Sequence, residues 1–149
     1  IPQTERGEDN KDYVVGGSGR YLERTAQHYV LVVDDDGITQ QALLPMKSTQ
    51  FKKSKQWNSA MRALKMKDSK GNLFTPPRFA HTWLLETVSE ENKNGSWHGW
   101  QISKDEVVTD PNLYAEAKLF ADSIDAGQVN VRHQRDEDKD TSDDEETPF

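Results

Sequence analysis

Two turns, Asp34-Asp35-Asp36-Gly37 and Asn92-Lys93-Asn94-Gly95, each stand between runs of apolar, aromatic and β-branched residues. An Asx residue next to glycine supplies the positive φ that a tight hairpin needs, so each turn commits its flanks to an antiparallel ribbon. Ahead of the first turn, residues 28–33 are a firm strand, and residues 19–27, with Tyr21 and Leu22 as apolar members, read as another. Residues 38–44 return from the turn, and Pro45 is expected to end them because it lacks an N–H to donate. Around the second turn, residues 78–90 alternate. Phe79, His81, Trp83, Leu85 and Thr87 share one face, and residues 96–103 form the partner strand with Trp97 and Trp100 on opposite faces. The triple Asp lacks the spacing and terminal Glu of an EF-hand, so it reads as a turn and not as a calcium loop.

Between the ribbons, residues 48–66 carry a helical pattern. Ser48 is a candidate N-cap, and Phe51, Trp57, Ala60, Met61 and Leu64 lie broadly on one side. After the second ribbon, Asp110-Pro111 opens a second helix with Asp at the N-cap and Pro at the first helical position. Its stripe is Leu113, Tyr114, Ala117, Phe120, Ala121 and Ile124, and Gly127 closes it. The order β-β-β-α-β-β-α predicts a mainly β chain with two helices (α+β). The specific architecture expected is an OB-fold-like five-stranded barrel plus a C-terminal helix and a disordered acidic tail. A generic α+β sheet fits the same order. The expected organisation is a flexible arm over 1–12, an OB-like nucleic-acid-binding domain over 13–130, and a disordered acidic tail with a protein-docking tip over 131–149. Gly16-Gly17-Ser18-Gly19 reads as a flexible turn, since no Gly-Lys-Ser/Thr follows to make it a phosphate loop.

The formal net charge of −7 hides a division. Residues 136–149 hold eight acids and one lysine, so the tail alone accounts for it. Residues 1–135 are neutral, yet 47–70 hold eight bases against the single acid Asp68. Lysines in the first turn of a helix oppose its dipole, and tolerating that cost suggests the charge serves another purpose. Lys52, Lys53, Lys55, Arg62 and Lys65 flank Phe51 and Trp57, and the second ribbon adds Trp83, Trp97 and Trp100. Cations neutralise phosphates and release counterions, while aromatic rings stack on bases of any identity. Together these residues form the candidate site for single-stranded nucleic acid. Trp57 has a competing reading as core, and one of Trp97 and Trp100 is expected to be buried.

The tail ends Asp143-Asp144-Glu145-Glu146-Thr147-Pro148-Phe149. A terminal Phe can fill an apolar pocket while its carboxylate and the neighbouring acids meet a partner's cations. In this feature the chain resembles the single-stranded DNA-binding proteins of bacteria and their phages, whose acidic C-terminal tip ends in Phe or Pro-Phe. The resemblance implies that Asp143, Asp144, Pro148 and Phe149 dock replication, recombination or repair proteins, and that the tail competes with DNA for the basic surface. Glu146 and Thr147 depart from the apolar residue usual before Pro-Phe. Residues 44–100, with Phe74-Thr75-Pro76-Pro77 and Asn94-Gly95-Ser96-Trp97, look similar to phage-encoded proteins of poorly defined function.

Several chemistries find no foothold. The chain has no cysteine, so thiolate metal sites, disulfides and thiol nucleophiles are excluded. Its four histidines lack metal-site spacing, and no nucleophile elbow or distinct carboxylate pair stands out. No cofactor or metal and no enzymatic activity are expected. No apolar run approaches the roughly 18 residues of a membrane helix, so the expected place is the cytoplasm, that of the host for a phage-encoded chain. The expected function is sequence-tolerant binding and protection of single-stranded DNA in replication and recombination, with partners recruited through the tip. RNA stays open as a ligand because its distinction rests on 2′-hydroxyl contacts. The alternative is an acidic-tailed interaction or inhibitory factor that mimics nucleic acid. Oligomeric state has no signature in the sequence.

Overall fold

The computed structural model describes residues 1–17 and 19–128. Strands β1 (Thr4–Arg6), β2 (Asp12–Val14) and β3 (Tyr21–Leu22) form a small antiparallel sheet in that order. The segment read as a flexible arm thus contains a paired strand, held by the Thr4↔Val14 to Arg6↔Asp12 register and by an Arg6–Asp12 ion pair at 3.2 Å.

The first long ribbon pairs β4 (Thr25–Val33) with β5 (Thr39–Lys47) in unbroken register. Asp34 builds its turn. The Asp34 carboxylate accepts the N–H groups of Asp36 and Ile38, and the Asp34 carbonyl accepts that of Gly37. Pro45 does not end β5; it pairs with Gln27 inside the ribbon. The Asp34 N–H bonds to the Ile38 carbonyl. Antiparallel bonding then alternates, and the backbone groups of Thr39, Gln41, Leu43, Pro45 and Lys47 point away from β4. The missing N–H of Pro45 therefore faces the outer edge and costs no ladder bond.

Helix α1 (Thr49–Ala63) follows directly. Ser48 occupies the N-cap position, but its side chain makes no capping bond. It adopts φ 53°, and its carbonyl accepts the Phe51 N–H instead. A short ribbon, β6 (Met66–Lys67) with β7 (Leu73–Phe74), leads to a 3₁₀ turn at Arg78–Ala80. The strand expected from residue 78 therefore starts three residues later, because the Ala80 N–H is taken by the Pro77 carbonyl. The second long ribbon pairs β8 (His81–Asn92) with β9 (Gly95–Val107) through a two-residue turn and a register shift between His81 and Trp83. Helix α2 (Pro111–Asp125) has the cap expected of it, with the Asp110 carboxylate accepting the Asn112 N–H at 2.9 Å. Gly127 ends it at φ 70°, the left-handed conformation that glycine adopts without penalty. The Gly127 and Gln128 N–H groups bond the Ile124 and Ser123 carbonyls.

The chain is mainly β with two helices, but the strands of the described residues form four separate antiparallel units. Among the described residues no barrel closes, which corrects the OB-like expectation. The reason lies in α1, which contacts both long ribbons. Met46, Trp57 and Met61 are the buried centre, packed by Val30 and Leu44 of the first ribbon and by Trp83, Leu85, Trp100 and Ile102 of the second. The helix fills the space in which a barrel's strands would meet. Trp57 stacks on His28 at 4.7 Å and meets Trp83 edge-on at 6.2 Å. Buried Ser54 bonds His28 Nε2 through its Oγ at 2.7 Å. Burial, aided by the Arg78 charge, lowers the His28 pKa and favours the neutral ring. A smaller cluster seats α2, where Phe120 and Ala80 are buried and Phe79 meets Tyr114 at 5.2 Å. Trp57→Ala is expected to cost about 3–5 kcal/mol, the range for removing a buried aromatic, read as a lowered urea midpoint. An unchanged midpoint would mean that α1 does not hold the ribbons together.

Candidate nucleic-acid interface

The fold sorts the basic segment into two sets. Lys52, Lys55 and Arg62 lie on the solvent face of α1, opposite Ser54, Trp57 and Met61. The helix contains no acid, and these three cations have no ion-pair partner among the described residues. Lys55 hovers over the Phe51 ring, 5.0 Å from its centre. Arg78, not foreseen from the sequence, joins this face. Its guanidinium donates to Asn58 Oδ1 at 2.7 Å, and Asn58 is a helical neighbour of Lys55 and Arg62. Lys65, just past the helix, is exposed and donates to Thr75.

Lys53, expected on phosphate, belongs to the other set. It turns inward to pair with Glu90 of β8 and donates to the Trp100 carbonyl at 2.6 Å. Gln50, one turn earlier, accepts the Trp100 N–H at 2.9 Å and donates to Glu90 Oε2 at 3.1 Å. Trp97 donates its indole N–H to the same carboxylate oxygen at 2.7 Å. Two side chains of α1 thus satisfy the backbone N–H and carbonyl of Trp100 in β9 and share one acid with Trp97. This clamp requires Gly99, because a Cβ there would lie 2.0 Å from Glu90 Oε2 and 2.7 Å from Gln50 Nε2. Glu90, Gln50 and Gly99 were not singled out from the sequence. The one signal available was a glycine inside a strand pattern, which often marks close approach.

The tryptophans are likewise divided. Trp57 is core, as its competing reading had it. Trp83 and Trp100 are half-buried against it, and Trp97 is half-buried in the Glu90 clamp. The indole N–H groups of Trp57 and Trp83 are buried and have no acceptor among the described residues. Trp57, Trp83 and Trp100, with Val88, Ile102 and Gln56, line an open cleft of about 470 Å³ between α1 and the second ribbon. The cleft has flat apolar walls and polar groups at Lys53, Glu90 and Gln101. The docking residues Asp143, Asp144, Pro148 and Phe149 lie outside the described residues, as does the rest of the expected disordered tail.

A family model described as Pam3 phage gp34-like protein matches residues 2–130. The chain belongs to the Pam3 phage gp34-like family. This agrees with the likeness of residues 44–100 to phage-encoded proteins. No match is found among curated proteins or among solved structures. No helix among the described residues is long and apolar enough to cross a membrane.

Within this gp34-like fold the Glu90 carboxyl is held below its ordinary pKa, first by the hydrogen bond from Lys53, against the opposing effect of desolvation and with further help from Gln50 and Trp97. The clamp then contributes stability above the usual Glu range near pH 4.3, and that contribution is lost as pH falls through the lowered pKa. Glu90→Gln is expected to lower the urea midpoint at pH 7, with the gap to the wild type closing as pH approaches 3. A gap that stays constant with pH would contradict the charged clamp.

Proposed function

We propose that the chain binds single-stranded DNA without sequence preference along the solvent face of α1 and the adjoining tryptophan cleft, in the service of replication or recombination. The observation that carries this reading is the stripe of Lys52, Lys55 and Arg62 on an acid-free helix, another side of which lines, through Lys53, Gln56 and Ala60, a cleft walled by Trp83 and Trp100. Phosphates would follow the stripe, with Arg78 as a fourth cation, and a base splayed from the strand would lie against the exposed indole faces. Lys53 and Trp57 would support this surface from within, since both are engaged in holding α1 to the ribbons. Recruitment of replication or repair proteins would fall to Asp143, Asp144, Pro148 and Phe149, on the strength of the terminal resemblance.

Tryptophan fluorescence offers a direct test because Trp83 and Trp100 flank the cleft. Titration with oligo-dT is expected to quench emission, less so at higher salt and far less with duplex DNA. The Lys52→Ala/Lys55→Ala/Arg62→Ala variant should bind at least tenfold more weakly at low salt. Its log–log salt slope should be shallower by about 2, from roughly 0.7 per lost phosphate contact on a single strand. Equal affinity of this variant and the wild type would remove α1 from the interface. No response to oligo-dT at low salt would sink the reading.

A further inference from the structure

We infer that β4 is the edge through which two copies of this chain pair, antiparallel and about a twofold axis at Tyr29. Free strand edges invite pairing, and folded proteins block the unwanted ones with charges, prolines, bulges or cover. Three of the four long strands carry such a block. At Trp100 of β9, Gln50 and Lys53 occupy the outward backbone groups. Strand β8 bears Glu86, Glu90 and Glu91 and the register shift near its start. Strand β5 presents Pro45, which has no N–H to offer, and Lys47. Strand β4 reads Thr-Ala-Gln-His-Tyr-Val-Leu-Val-Val. It has no Asp, Glu, Lys or Arg, no Pro or Gly and no break in register.

The alternation that turns Pro45 outward also turns out the N–H and C=O groups of Thr25, Gln27, Tyr29, Leu31 and Val33. No backbone partner occupies them among the described residues. The side chains of these residues share the face of the ribbon away from Val30, Leu44 and Met46, and Tyr29 and Val33 are exposed there. The strand thus offers a free hydrogen-bonding row beside a partly exposed face, on which Thr39 of β5 donates to Glu116 of α2.

The charges at its two ends select the occupant. A twofold contact presents the same patch to itself, so it must be self-complementary. Pairing centred on Tyr29 sets Tyr29 against its own counterpart, Gln27 against Leu31 and Thr25 against Val33. No like charges meet along the strand. Beyond it, Asp34 falls opposite Arg24 of the second copy. The acidic turn 34–36 of each copy overlies the other's basic end, where Lys47 neutralises Glu23 at 3.4 Å. The product is a four-stranded sheet made from two ribbons.

The test uses the full chain. Light scattering during gel filtration is expected to give about twice the 17.0 kDa chain mass at micromolar concentration. Tyr29→Lys, which sets two lysines face to face at the axis, should return a single-chain mass with an unchanged circular dichroism spectrum. The chain has no cysteine, so Tyr29→Cys with a short bis-maleimide should yield one covalent dimer. Val33→Cys should not, since its two copies would lie roughly 27 Å apart at the rise per residue of an antiparallel strand. A wild type that stays at 17.0 kDa at all concentrations overturns the inference. So does a dimer that survives Tyr29→Lys, or equal crosslinking of the two cysteine variants.

Discussion

The seating of Trp57 between two ribbons is the interaction on which the rest depends. Among the described residues neither ribbon has a second sheet to cover it, and each buries its apolar face against α1. The same indole stacks on His28 of β4 and meets Trp83 of β8 edge-on. Burial of apolar area is the main favourable term in folding, and here one helix stripe collects it from both sides. That arrangement also explains why the strands do not close on one another. The helix occupies the space where they would meet, and its Gln50 and Lys53 take up the backbone N–H and carbonyl of Trp100 in β9.

Holding α1 in place has a consequence for its charges. Lys53 is drawn inward to Glu90 and the Trp100 carbonyl, where it anchors the helix. What remains is a narrower, cleaner stripe of Lys52, Lys55 and Arg62, extended by Arg78 from outside the basic segment. The tryptophans divide in the same way, with Trp57 given to the core and the faces of Trp83 and Trp100 left at the cleft. Structure and candidate function therefore draw on one helix, whose buried side fixes how its exposed side is presented. The narrowness of the ribbons leaves apolar side chains such as Tyr29 and Val33 uncovered on the far side of β4. In a chain with so small a core, that surface is a resource for assembly.

Much of the local structure was legible because it rests on chemistry within a few residues. Asp34 and the Asn92 turn announced their hairpins, and Asp110-Pro111 with Gly127 bounded α2 to the residue. The β content and both helices followed from periodicity. Pro45 was misread, since a proline's cost depends on whether its N–H side faces a neighbour, which only the ribbon's pairing settles. Ser48 lies at the helix start without capping it. The first twelve residues looked featureless, although a three-residue strand needs only a partner, and β2 provides one.

The sequence by itself determined where the chain turns, which stretches alternate, and that its positive charge gathers around one helix. These properties are set by φ preferences, side-chain period and charge order, all of which act locally. Only the tertiary structure decided which lysine is free, which tryptophan is core, and that Gly99 leaves room for the Glu90 carboxylate. Those outcomes depend on contacts between residues distant in the chain, Gln50 and Lys53 with Glu90 and Trp100, and Trp57 with His28 and Trp83. The element order was compatible with a barrel and with an open arrangement. The choice fell to the packing of α1, because a helix wedged between two ribbons satisfies the same apolar faces that a closed barrel would bury.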